Sequence, residues 1–152
     1  MTRLGIYVQV PFCQTKCTYC NFHTGVVSSA RFSPYAEAVC AEIRGHRELY
    51  QAAGVKLPEG FEKAVVDTVY IGGGTPSLLE PGLLQGMMDA IRETFAAELS
   101  EVTLEADPET IEAGKAKAWV RAGIYRVSFG LQSFSDKELV AAGRMHRRAD
   151  IY

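Results

Sequence analysis

Four apolar, β-rich runs, residues 5–10, 65–71, 101–106 and 126–129, alternate with longer stretches of helical periodicity, and few folds accept that order. A strand that returns to pair in parallel needs a crossover of a dozen or more residues, so the alternation predicts βα units around a parallel sheet. The first helical stretch spans residues 32–53, with Tyr35, Val39, Ile43 and Tyr50 on one stripe and Ser33 before Pro34 as a capping pair. A polar loop containing Gly54, Pro58 and Gly60 leads to the second strand, and further helices are predicted over residues 81–97, 113–122 and 136–142. The reading is therefore α/β, with four βα units of about 30 residues each over residues 1–152. At 152 residues and 47% hydrophobic content the chain has enough apolar surface for one core.

Every chemically distinctive motif falls just after a strand. Cys13, Cys17 and Cys20 follow the first, Gly72, Gly73, Gly74, Thr75 and Pro76 the second, Glu105 and Asp107 end the third, and Gln132 and Ser133 follow the fourth. In parallel sheets and barrels the carboxyl ends of the strands share one face, where ligands bind, so the four motifs converge on one site. Three glycines in a row let backbone groups approach a ligand without an intervening Cβ, and equally suit a tight strand-to-helix turn. No Lys-Ser/Thr pair follows them, which separates the run from a phosphate loop. Glu105, between Leu104 and Ala106, is a carboxylate that needs a partner if buried, either a ligand's donors or a salt bridge. Gln132 offers a donor and an acceptor together.

The spacing CxxxCxxC puts three thiols on one short loop. With no signal-peptide pattern and no apolar run of transmembrane length, the reading is cytoplasmic, where thiols stay reduced and a disulfide is disfavoured. A structural zinc site with His23 as fourth ligand and an iron-sulfur cluster both suit the loop taken alone. Convergence of the other three motifs on the same face shifts the balance toward a cofactor, because a zinc knuckle does not require it. Cys40 lies among the apolar positions of the first helix and reads as a packed thiol, and His46 as a surface or partly packed residue. A net charge of -2 and no basic-aromatic interleaving argue against nucleic acid as a partner. The basic stretch Arg144, His146, Arg147 and Arg148 reads, by itself, as a solvated helix face.

Taken together, CxxxCxxC followed by an aromatic residue, GGGTP, LEADP and SFGLQSF resemble, in order, the motifs of the radical S-adenosylmethionine (SAM) superfamily. More narrowly they are similar to the branch that holds oxygen-independent coproporphyrinogen III oxidase and the related heme chaperones. The resemblance implies a partial βα barrel in which Cys13, Cys17 and Cys20 bind three irons of a 4Fe-4S cluster and the fourth iron takes SAM. It implies that the reduced cluster splits SAM into methionine and a 5′-deoxyadenosyl radical. Tyr7 and Tyr19 match aromatic positions near cluster and SAM, Gly73, Gly74 and Thr75 the SAM-binding glycine motif, and Glu105, Gln132 and Arg144 further SAM contacts.

Within the branch, Phe22 stands where the oxidases carry a fourth cysteine, and the cluster motif begins close to residue 1; both features favour the chaperone side. Gln9 replaces a frequent histidine. The implied partners are SAM, heme or a porphyrinogen, an electron donor and a membrane-bound respiratory acceptor of heme. The family's barrel has about six units and a further C-terminal domain, so its later SAM contacts and heme-related residues are expected beyond Tyr152, and the fourth strand is expected to present an unpaired edge that invites self-association.

Overall fold

In the computed structural model, which describes residues 2–152, four strands form one parallel sheet: β1 (Arg3–Val10), β4 (Val65–Gly73), β5 (Ala96–Ala106) and β6 (Arg126–Phe129), in the order β1-β4-β5-β6. Side chains alternate along β1: Val8 and Val10 are buried, whereas Gly5, Tyr7 and Gln9 are exposed. One face of the sheet is therefore covered and the other open, as the period of two requires. Against the covered face pack α1 (Phe32–Arg44), α3 (Pro81–Thr94) and α4 (Ala113–Ala122), with α3 touching both of the others. Leu84, Met87, Met88 and Ile91 on one stripe of α3 meet Val69, Ile71, Val102 and Leu104 of the sheet in a core closed at one side by Trp119 and Ile124. Cys40 packs at the edge of this core, and burial pushes its thiol pKa up, as suits a packing thiol.

The sheet and its order agree with the sequence reading, and the differences are local. The expected helix 32–53 breaks at Gly45, and α2 (His46–Ala52) starts anew. The break turns His46 inward, only 8% exposed, among Tyr50, Phe61 and Phe95, so it is a buried residue and not a surface one. Ser33 does not cap α1: it lies inside the first turn and donates to Glu37, while Ser28 accepts from Ala30 N and caps the preceding 3-10 turn. Helix α3 stops at Thr94 and β5 begins at Ala96, because pairing of Ala96 and Ala97 with Val65 and Val66 outweighs the helix preference of alanine. The short strands β2 (Phe12–Cys13) and β3 (Gly25–Val26), paired in parallel, were not legible in the sequence. The final helix α5 (Asp136–Ala141) leads to the turn that carries Arg144. Among the described residues no helix is long and apolar enough to cross a membrane.

The glycine run after β4 lies against the first cysteine. Gly74 N donates to Val10 O at 2.7 Å and Thr75 N to Phe12 O at 2.6 Å, so backbone touches backbone at the end of β1. A Cβ on Gly74 would overlap the Phe12 carbonyl oxygen and stand 2.9 Å from Cys13 Sγ. Gly73, at φ 114°, occupies backbone space that side chains avoid.

Gly74→Ala is expected to leave the fold intact by circular dichroism but to displace Cys13 and reduce iron uptake on reconstitution; full iron uptake would show that the contact does not matter. Leu84→Ala, which empties the core under α3, is expected to destabilise by about 2–5 kcal/mol in denaturant melts.

Candidate functional site

The cysteine loop is held at both ends by backbone pairing. Cys13 sits in β2, whose ladder with β3 is flanked by Gly25 N donating to Pro11 O at 2.9 Å. Between them, Cys20 N donates to Cys17 O at 3.2 Å, and Thr18 donates through both N and Oγ1 to the last carbonyls of α5, Ala142 O and Ala141 O, at 3.2 Å each. The loop is thus clamped to an element more than a hundred residues away in the chain. All four cysteines are free thiols, and Cys13, Cys17 and Cys20 are partly exposed.

Across from the loop lie the ends of β4, β5 and β6. Glu105 accepts from Tyr70 Oη and from Gly73 N, each at 2.9 Å, so the partner that its burial requires is a phenol and a backbone amide; among the described residues no cation pairs with it. Burial, and then the hydrogen bond to Glu105, raises the Tyr70 pKa above its ordinary value and keeps it a donor. Two residues on, the Asp107 carboxylate accepts from Thr75 Oγ1 at 3.1 Å and pairs with Arg144. Arg144 also donates to Gly130 O at 2.7 Å and to Cys17 Sγ at 3.4 Å. Its side chain is 8% exposed. Burial works against its charge, yet the hydrogen bonds to Asp107 and Cys17 outweigh that and hold its pKa above the usual value.

The basic stretch is therefore not a solvated helix face. Arg144 and His146 are buried, in a turn beyond α5. His146 Nε2 lies 3.1 Å from Leu131 O, and the Arg147 guanidinium caps the carbonyls of Arg144 and His146 at 2.8 and 2.7 Å. The physical reason is that α5 ends at Ala141 and Gly143, at φ 71°, turns the chain back over the cysteine loop.

One cavity of about 310 Å³ is lined by Cys13, Cys17, Cys20, Tyr19, Gly73, Gly74, Thr75, Glu105, Gln132 and Arg144. The structure thus brings together ten of the eleven site residues expected from the sequence. The eleventh, Tyr7, lies outside the cavity: it is 57% exposed on the open face of β1 and stacks on Tyr70 with ring centres 5.8 Å apart. It reaches the site through Tyr70 and Glu105. Burial, then the Glu105 charge, raises the Tyr7 pKa; burial, then Cys17, raises that of Tyr19. Gln132 takes φ 65°, the one left-handed position off glycine among the described residues. His23 is exposed and outside the cavity.

Sequence reasoning placed Asp107 on this face without naming its partner, and gave no site role to Gly130 or Tyr70. The position of Asp107 and Gly130 just after strands is the signal that was available; Tyr70, opposite Thr103 in β5, offered none.

The residues fit a cluster and an amino-acid-like ligand. Three free thiols on one loop line the cavity, and a four-iron cluster takes each thiolate on its own iron. Gly74 leaves the space beside Cys13 that a Cβ would fill, and Arg144 Nε is buried without a hydrogen-bond partner. A cationic donor and a carboxylate acceptor in one cavity suit a ligand that carries a carboxylate and an amino group.

The radical SAM superfamily profile matches residues 7–152. The chain is 35% identical over 150 residues to the Mus musculus protein "Radical S-adenosyl methionine domain-containing protein 1, mitochondrial", covering 98% of this chain and 31% of that protein. It is 34% identical over 145 residues to the Escherichia coli heme chaperone HemW, covering 94% and 35%. Among solved structures, the E. coli coproporphyrinogen III oxidase HemN, described as a radical SAM enzyme, superposes with a TM-score of 0.80 at 24% identity, over 99% of this chain and 32% of HemN, a likeness of fold. The chain spans about a third of the length of these relatives. With the profile covering nearly every residue and the cysteine loop facing the glycine run, the chain belongs to the radical SAM superfamily, whose members use a 4Fe-4S cluster and SAM.

Proposed function

We propose that this chain provides the cluster and SAM site of a heme chaperone-like protein of heme metabolism. The observation that carries the reading is the single cavity in which three thiols face the glycine run, Glu105, Gln132 and Arg144. Cys13, Cys17 and Cys20 would hold three irons, leaving the fourth for SAM; Gly73, Gly74, Thr75, Glu105, Gln132, Arg144 and Tyr19 would hold SAM, with Tyr7 supporting the site through its stack on Tyr70. When bound, the reduced cluster supplies the sulfonium with one electron.

The chain's own contribution is placement. The backbone of Gly73 and Gly74 permits close approach, Glu105 presents acceptor oxygens already oriented by Tyr70 Oη and Gly73 N, and Arg144 supplies a fixed positive charge beside Cys17. The heme arm rests on the relatives that are named heme chaperones and on Phe22 in place of the oxidases' fourth cysteine. A cytoplasmic setting, an electron donor and a membrane-bound respiratory acceptor of heme complete the role.

Anaerobic iron-sulfur reconstitution is expected to load wild-type protein with a cluster whose reduced spin-resonance signal changes on adding SAM. Cys17→Ala is expected to lose most of the iron, and a colourless wild-type protein with one zinc and no iron would overturn the reading. The full-length protein is expected to bind heme stoichiometrically without consuming coproporphyrinogen III anaerobically; turnover of that substrate would assign the oxidase activity instead.

A further inference from the structure

Asp107, directly and through Arg144, ties the end of β5 to four other segments of the chain. One carboxylate oxygen pairs with the Arg144 guanidinium and the other accepts from Thr75 Oγ1 at 3.1 Å, which joins the ends of β4 and β5 to the turn after α5. The same guanidinium donates to Gly130 O, beyond β6, at 2.7 Å and to Cys17 Sγ, in the cysteine loop, at 3.4 Å. The Asp107 backbone is itself held from behind. Asp107 O accepts from Thr110 N at 3.0 Å and from Thr110 Oγ1 at 2.7 Å, and Asp107 N donates to Ser77 Oγ at 3.4 Å. Asp107 is 19% exposed and Arg144 8%, so the pair sits where losing one partner strands the other. Gly130 leaves the room: a Cβ there would stand 2.9 Å from Asp107 Oδ1 and 3.3 Å from the Arg144 guanidinium.

We propose that Asp107 is a positioning residue that holds the Arg144 guanidinium between Cys17 and the SAM-facing end of the sheet, and so sets SAM affinity and cluster retention through Arg144. A guanidinium on a long side chain has many rotamers, and a fixed carboxylate, as the one charged partner among its contacts, favours one of them most strongly. The inference rests on the reading that the cavity takes a cluster and SAM.

The test is a double-mutant cycle on the full chain, with Asp107→Ala and Asp107→Asn each made in wild-type and Arg144→Ala backgrounds. The readouts are iron bound per chain after anaerobic reconstitution and the SAM dissociation constant from the shift of the reduced cluster's spin-resonance signal. Asp107→Ala is expected to weaken SAM by about tenfold in the wild-type background, as losses of outer-shell partners do, and Asp107→Asn, which keeps an acceptor for Arg144, by less. In the Arg144→Ala background both effects are expected to shrink to under about twofold. The same collapse is expected in the iron readout, so a variant that loses its cluster still reports. Equal losses in both backgrounds, no change in Asp107→Ala, or cluster loss in Asp107→Asn while Arg144→Ala retains it, would each overturn the proposal. A wild-type protein that binds no cluster or shows no SAM-dependent signal overturns the reading of the site instead.

Discussion

The parallel pairing of β4 with β1 on one side and β5 on the other governs everything else in this chain. It places Val10 opposite Gly73 and Ile71 opposite Leu104, so the residues that follow each strand emerge on the same edge. Beyond the short β2-β3 ladder, that edge has no regular backbone pairing of its own among the described residues. Its polar groups are satisfied instead by contacts between loops: Gly74 N to Val10 O, Thr75 N to Phe12 O, and Gly73 N to Glu105. The cavity is what remains when these short contacts are made.

Burial and charge are balanced inside that edge. Glu105 is met by neutral donors, whereas Asp107, just past the end of β5, is met by a cation, although the two stand only two residues apart. The difference matters chemically. Among the described residues no cation occupies the Glu105 carboxylate, which leaves it open to a ligand's cationic donor, while the Asp107 carboxylate is taken up in fixing Arg144. Arg144 in turn touches a cysteine sulfur, which links the sheet's electrostatics to the loop that would carry the cluster. Thr18 adds a second link from that loop to the end of α5, so the cysteine loop is positioned from two sides, by β2 and by the C-terminal end of α5.

Much of the frame was legible because period and punctuation agree. Strand β6 and helix α4 lie where the pattern puts them, and the four motifs meet as strand-end residues must. The misreadings share one cause. The break at Gly45, the early end of α3 and the inward turn of Arg144 and His146 are each decided by partners distant in the chain: Phe61 and Phe95 for His46, Val65 and Val66 for the start of β5, and Asp107 and Leu131 for the last turn. Local propensity carries no information about those partners.

From sequence alone, the βα alternation determined a parallel sheet, and with it the side on which Cys13, Gly73, Glu105 and Gln132 must appear, because handed crossovers leave strand ends no other place. Tertiary structure decided which of these groups touch. A cysteine, an arginine and an aspartate separated by up to 127 positions come into one hydrogen-bonded line only after the helices have packed and buried them. The strength of that line comes from exclusion of water, a property of the packed chain and not of any segment within it.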